Sequence, residues 1–425
     1  IRKFGFLSEM NVMNTNLTDQ QARTAYLEQH YGKDILPLSA FEQTMPGSEP
    51  IEILFFYKKD TPVLKLRESL LKTIEHYNLF SSRLIMTDRD KFALQYCTDG
   101  ALAVVLPSLD KKFDEIDIDE IKSRMVHVKT LPGEHLFAVT GIPVRDGIFG
   151  GISCSHTVAD GISLMLFLYA WMCITEGKPF LLPSRQKLFQ GQPARSIEID
   201  KVFTPPLSEL SDVIQKRVKR AAIKTYAKRE YFSEEFLRDM KNRAKAENEK
   251  YSISDNQIIT AYLLKKYHSV MMPKTDRIVL RTPVNFRDIH PDIDPLYIGN
   301  AQYYCVTVYG KDEIDSLSVY DIAFRLKESI SSMRNENFLK ELSQLSAYGI
   351  EIKTGLFKND PPGNMDADIL SSNLTHLTDL EAMGVGSDVG SVLSISLAYY
   401  KTNFIILKEK SGRIFAEITS MYPLT

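Results

Sequence analysis

His156 is the side chain in this sequence best placed to move a proton. It stands in Ser155-His156-Thr157, a short polar break between two apolar runs. Residues 148–154 have strand length and include Gly150 and Gly151, while from Ile162 onward neither Gly nor Pro appears until Gly177. Leu164, Phe167, Leu168 and Trp171 recur at helical spacing, so the second run reads as a buried helix. The frame is therefore strand, tight loop, helix. Asp160 stands where it can cap that helix by accepting a backbone N–H bond, and Gly161 permits a close turn into it. A His at such a junction is held by rigid elements while its ring points into a cleft. With a reference pKa of about 6.5, an imidazole accepts a proton at neutral pH without large tuning. Cys154 suggests a second chemistry, covalent catalysis, because strand alternation puts it on the same side as His156. The apolar run around it favours a buried, inert thiol instead.

The elements that must position these residues come from the whole chain. At 425 residues it is too long for one ordinary core, and two domains are expected. A formal charge of −2 gives no overall bias toward nucleic acid or an anionic membrane. Cys97, Cys154, Cys173 and Cys305 are far apart and form no CxxC pair, so neither a zinc site nor a disulfide scaffold is expected. No apolar stretch reaches the roughly 18 residues of a membrane span, and no signal peptide is read. A cytoplasmic protein is the expectation.

Four further landmarks flank the His loop. Residues 36–58 give a strand with Leu38-Ser39, a proline turn and the apolar strand 51–57, with Glu42 as the nearest acid. Leu66, Leu70, Ile74 and Tyr77 form an apolar stripe on a helix that ends in NLFSSRL. Residues 278–308 hold VNFR, a proline loop and Gly299-Asn300 between two strands. Residues 369–389 hold Ser371-Ser372-Asn373 and, further on, AMGVG. Between the halves, residues 180–206 carry Pro183, Pro193, Pro205 and Pro206 and read as a crossover linker. Residues 207–229 read as a basic helix with Lys216, Arg217, Lys219, Arg220, Lys224, Lys228 and Arg229, a solvated face or a contact for phosphates or an acidic carrier protein.

HTVADG resembles the HxxxDG signature of the CoA-dependent acyltransferase superfamily, which includes BAHD acyltransferases, chloramphenicol acetyltransferase and condensation domains. NLFSSRL is similar to the BAHD "yPlaGRL", and VNFR with Gly299-Asn300 is similar to that family's "VNxR…yxGN". The family's Thr-Ser-Trp is replaced by Ser371-Ser372-Asn373, and its DFGWG by AMGVG, which keeps only the glycines. The resemblance runs over about residues 36–420 and marks a divergent member.

That resemblance implies an α/β protein with mixed sheets: two chloramphenicol-acetyltransferase-like domains with an active-site tunnel at their interface. The expected division is 1–182 for the domain carrying HxxxDG, 183–225 for the crossover linker and helix, and 226–425 for the C-terminal domain. The implied reaction moves an acyl group from acyl-CoA, a co-substrate, to an alcohol or amine of a small-molecule acceptor, with His156 as base. Asp160 is expected to pair with Arg287 and, with Gly161, to shape the loop rather than act as a triad acid. Ser371 and Asn373 are the candidate oxyanion donors. No metal, nucleic acid or membrane is implied, and a monomer is expected. Two rival readings are a condensation-like enzyme taking its acyl group from an acyl carrier protein and a catalytically degenerate scaffold of the same fold.

Overall fold

The computed structural model describes residues 35–38, 42, 45, 50–58, 63–86, 92–184, 223–287, 293–334, 368–375, 389–397, 401–409 and 411–424. The first half contributes strands β1 (Ile35–Pro37), β2 (Ile51–Lys58), β3 (Ser82–Met86), β4 (Phe92–Tyr96), β5 (Ala101–Val105), β6 (Phe137–Val144) and β7 (Gly147–Cys154). Its helices are α1 (Val63–His76), α2 (Ile118–Arg124) and α3 (Gly161–Glu176). The second half contributes β8 (Tyr226–Phe232), β9 (Arg277–Asn285), β10 (Gln302–Gly310), β11 (Asp368–Asn373), β12 (Val389–Leu397), β13 (Asn403–Lys408) and β14 (Ile414–Ser420). Its helices are α4 (Glu234–Glu247), α5 (Asp255–Met271), α6 (Lys311–Ser316) and α7 (Val319–Met333). No helix among the described residues is long and apolar enough to cross a membrane.

Two mixed sheets dominate. One runs β12-β2-β7-β6-β5 and the other β10-β9-β11-β13-β14-β8; β1, β4 and β3 form a small third sheet. β5 is parallel to β6, and β11 is parallel to both β9 and β13, while the other pairs are antiparallel. β12, although it comes from the second half, pairs with β2 in the first sheet. The halves are thereby stitched together, and the sheets do not divide cleanly by sequence position.

The inward alternation of β2 (Ile51, Ile53, Phe55, Tyr57) packs with α1 and α3 in the first core. Its opposite face, Leu54 and Phe56, packs with Phe149 against Ile121 and Met125 of α2 and the loop after it. Gly150 is where the sheet needs a missing side chain: a Cβ there would lie 2.3 Å from the Phe55 ring. α3 is buried around nearly its whole circumference, including Leu164, Phe167, Leu168 and Trp171. A helix apolar all round belongs inside, and each such side chain contributes about 1.5–3 kcal/mol on burial. The same core takes in Ile405 and Leu407 of β13 and Phe415 of β14, so it joins the two sheets. A second core lies between the other face of the larger sheet and α4, α5 and α7.

The basic helix expected up to Arg229 is not what the described part shows. Tyr226–Phe232 is an edge strand paired with β14. Arg229 pairs with Glu417 and lies 4.4 Å over the Phe415 ring, and Lys228 lies 5.7 Å from the Tyr267 ring. Lys216, Arg217, Lys219, Arg220, most of the linker and the AMGVG segment lie outside the described residues.

Candidate active site

β7 ends at Cys154 and α3 begins at Gly161, and the six residues between them form the His loop. Ser155 donates its backbone N–H to Leu136 O at 2.7 Å and accepts from the N–H groups of Val158 and Ala159, closing the loop on itself. Asp160 caps α3: its Oδ1 accepts from Ser163 N at 2.8 Å. Gly161 is the first helical residue and has no positive φ, so the turn does not draw on glycine's left-handed freedom as the sequence suggested.

The structure brings Asp160 and Arg287 together, although 127 residues separate them. Arg287 Nη1 donates to Asp160 Oδ2 at 2.7 Å and Nη2 to Oδ1 at 3.0 Å, a bidentate pair in which both side chains are buried. The guanidinium also donates to Tyr297 O, to Ser163 Oγ at 2.9 Å and to Asn285 Oδ1 at 3.1 Å. Asp160 Oδ2 accepts a further bond from Ala301 N at 3.0 Å. Each carboxylate oxygen therefore holds two donors, and nothing is left over for His156. Burial alone would raise the Asp160 carboxyl pKa; the guanidinium and the N–H groups of Ser163 and Ala301 outweigh it and hold the group below the usual carboxylate range.

Ser163, Gly299, Asn300 and Glu42 complete the lock, and sequence reasoning gave none of them this role. Ser163 Oγ donates to Gly299 O at 2.8 Å and accepts from Gly299 N at 3.1 Å, while Asp160 N donates to the same Gly299 O. Gly299 has φ 142°, and a Cβ on it would lie 2.4 Å from Tyr297 Oη and 2.8 Å from Glu42 Oε1. Only glycine fits that turn without strain. Asn300, fully buried, donates Nδ2–H to the backbone oxygen of His156 at 2.6 Å. A Gly-Asn pair between two strands was the available signal.

His156 itself is half-buried. Its Nδ1 is enclosed and has no hydrogen-bond partner, which leaves the opposite edge of the ring, with Nε2, as the side open to a substrate. Burial lowers the imidazole pKa below the ordinary value, against the opposing effects of the Asp160 charge and the Asn300 side chain. The neutral, proton-accepting form is thus the resting one at pH 7. Cys154 is fully buried, and desolvation pushes its thiol pKa far up, so thiolate is not available there.

The two oxyanion candidates sit on β11, and neither is bonded to the His loop. Ser371 Oγ shares a hydrogen bond of 2.7 Å with Thr260 Oγ1 of α5. Asn373 Oδ1 accepts from Thr375 N and Oγ1. Two hydroxyls carry two protons and their mutual bond uses one, so Ser371 keeps a donor only if Thr260 is the one donating to it. An apolar cavity of about 50 Å³ is lined by Phe55, Leu66, Gly150 and Trp171 and by none of His156, Asp160, Arg287, Ser371 and Asn373.

A family model described as the Transferase family matches residues 19–402. An uncharacterized acetyltransferase of Arabidopsis thaliana is 23% identical over 337 residues, covering 72% of this chain and 73% of the relative. Coumaroyl-CoA:anthocyanidin 3-O-glucoside-6''-O-coumaroyltransferase 2 of the same plant is 30% identical over 180 residues, covering 35% of this chain and 38% of that protein. Among solved structures, TRI101 of F. sporotrichioides complexed with coenzyme A and T-2 superposes with a TM-score of 0.70 at 15% identity, over 91% of this chain and 94% of that one. At that identity the likeness shows the fold alone.

Proposed function

The chain belongs to the Transferase family and is an acyltransferase of the BAHD type; from that premise we propose that it moves an acyl group from acyl-CoA to the hydroxyl or amine of a small molecule, with His156 as general base. One observation carries the reading: a half-buried imidazole with one nitrogen enclosed stands on a loop fixed from the second half of the chain by the Asp160–Arg287 pair. A loop held this way keeps the ring aimed at the seam between the halves, where two substrates meet from opposite sides.

In this mechanism both substrates bind before chemistry. Neutral His156 takes the acceptor's proton through Nε2 as its oxygen or nitrogen attacks the thioester carbonyl. Collapse of the tetrahedral adduct breaks the C–S bond, and the imidazolium returns the proton to the departing thiolate. Asp160 keeps the loop in shape and adds negative charge near the imidazolium, without taking a proton. The Asn373 side-chain N–H₂ has no partner among the described residues and is the leading donor to the oxyanion, with Ser371 second through Thr260.

The test is free-thiol release from acetyl-CoA and longer acyl-CoAs against a panel of alcohols and amines. Acceptor-dependent release supports the reading. Release from carrier-bound acyl groups alone would instead make the donor a carrier protein, and no release from either, with the protein folded, would leave a scaffold.

A further inference from the structure

A neutral imidazole carries one N–H, and the hydrogen bond made by one ring nitrogen decides which tautomer is present. For His156 to act as a base through Nε2, its proton must be kept on Nδ1. Asp160, whose charge acts on the ring, has both oxygens filled by Arg287, Ser163 and Ala301. Three enclosed polar atoms in this part of the structure lack partners, Thr157 Oγ1, His156 Nδ1 and Asn300 Oδ1, and the last two are complementary: a ring N–H donates and an amide oxygen accepts. Leaving the ring nitrogen and the amide oxygen unpaired inside the protein is unfavourable.

The Asn300 amide cannot turn the other way. Its nitrogen donates to His156 O at 2.6 Å, and a carbonyl oxygen accepts only from the N–H₂ end, so the orientation of Oδ1 follows. The backbone of this stretch is pinned on both sides: Gly299 bonds Ser163 and Asp160, Ala301 bonds Asp160, and Asn300 N lies 3.4 Å from Glu42 Oε1. The ring's χ2 well is broad, so a rotation of the imidazole joins the two complementary atoms.

We propose that Asn300 is a positioning residue for His156, its side-chain oxygen accepting the Nδ1 proton and leaving Nε2 as the basic nitrogen. This rests on the reading of His156 as general base. Because Asn300 lies in the second half of the chain, the tautomer of a residue in the first half depends on how the halves are joined. The Asn300 side chain also acts to raise the imidazole pKa, in opposition to burial.

The tautomer readout needs no substrate. The full chain is labelled with ¹⁵N-histidine, and His156 is assigned by the signal lost in His156→Gln. Two-bond ¹H–¹⁵N spectra then report which nitrogen carries the proton. In the wild type, Nδ1–H is expected, and a ring protonated at Nε2 would overturn the proposal. Asn300→Ala is expected to shift the population toward Nε2–H and to lower kcat by on the order of tenfold to a hundredfold with the acetyl-CoA KM nearly unchanged. A wild-type tautomer in that variant overturns it too. Should Asn300→Ala not fold, Asn300→Asp decides: a carboxylate facing Nδ1 is expected to raise the ring pKa by about one unit or more, and an unchanged pKa refutes the contact. If the wild type shows the expected tautomer but no acyl-CoA is ever consumed, the functional reading fails and the positioning stands.

Discussion

Replacing Arg287 with Met removes the charge and all five donors of a buried guanidinium while keeping much of its volume. Asp160 would then sit in the interior with only the N–H groups of Ser163 and Ala301 to hold it. Breaking a buried pair from one side costs about 3–5 kcal/mol. The carboxylate has one escape, taking up a proton, which at pH 7 costs about 4 kcal/mol from an ordinary Asp pKa and so caps the loss near that figure. The pH dependence follows from the same carboxyl. In the wild type its folded pKa is depressed by Arg287 and the two N–H groups, so the stability it contributes is present above the unfolded pKa near 3.9 and is lost as pH falls through the lower folded value. In Arg287→Met the folded pKa is raised instead, and the variant's deficit shrinks by up to about 1.4 kcal/mol per unit as pH drops from 7 toward 5. Urea unfolding of the wild type, Arg287→Met, Asp160→Asn and the double variant at pH 7 and 5.5 closes the cycle. The double variant is expected to be more stable than Arg287→Met alone at pH 7, because no charge is stranded. A loss below about 1 kcal/mol for Arg287→Met, or additive single effects at pH 7, would refute the argument.

Three other outcomes follow from the same geometry. Cys154→Ala is expected to keep acyl transfer within about threefold of wild type, whereas a loss on the order of a hundredfold would establish a covalent route through the thiol. In the pH profile of kcat/KM, the acid limb is expected below the ordinary imidazole value of about 6.5, because burial lowers the His156 pKa; a limb at or above it contradicts the assignment. Gly299→Ala places a Cβ against Tyr297 and Glu42 at a positive φ and is expected to cost more than about 1 kcal/mol in unfolding experiments and to lower activity. Gly133→Ala, at φ 81° with open space around it, is the control that loses stability without losing activity.

What was legible in the sequence is what local patterning encodes. The apolar run 162–174, its Asp160 cap and the terminating Gly177 are local signals, and α3 lies where they put it. Ser254 likewise caps α5, with Gln257 completing a capping box. Arg287 was reached only through family resemblance, since nothing local in VNFR says that its partner lies 127 residues upstream. β8 was misread because an edge strand exposed along most of both faces shows no alternation, and its Lys and Arg residues imitate a basic helix. Which sheet β12 joins is a long-range pairing with no local signature. The roles of Ser163, Glu42 and Asn300 escaped notice for a related reason: each is a common polar residue whose role comes from a buried partner far off in the chain.

The most direct single measurement is thiol release from acetyl-CoA in the presence and absence of a competent acceptor, with wild type and His156→Ala run side by side and both verified as folded. Acceptor-dependent release that falls by about 10²–10⁴ in the variant is the predicted result. Release that persists undiminished in His156→Ala would contradict the account, because the base it assigns would then be idle.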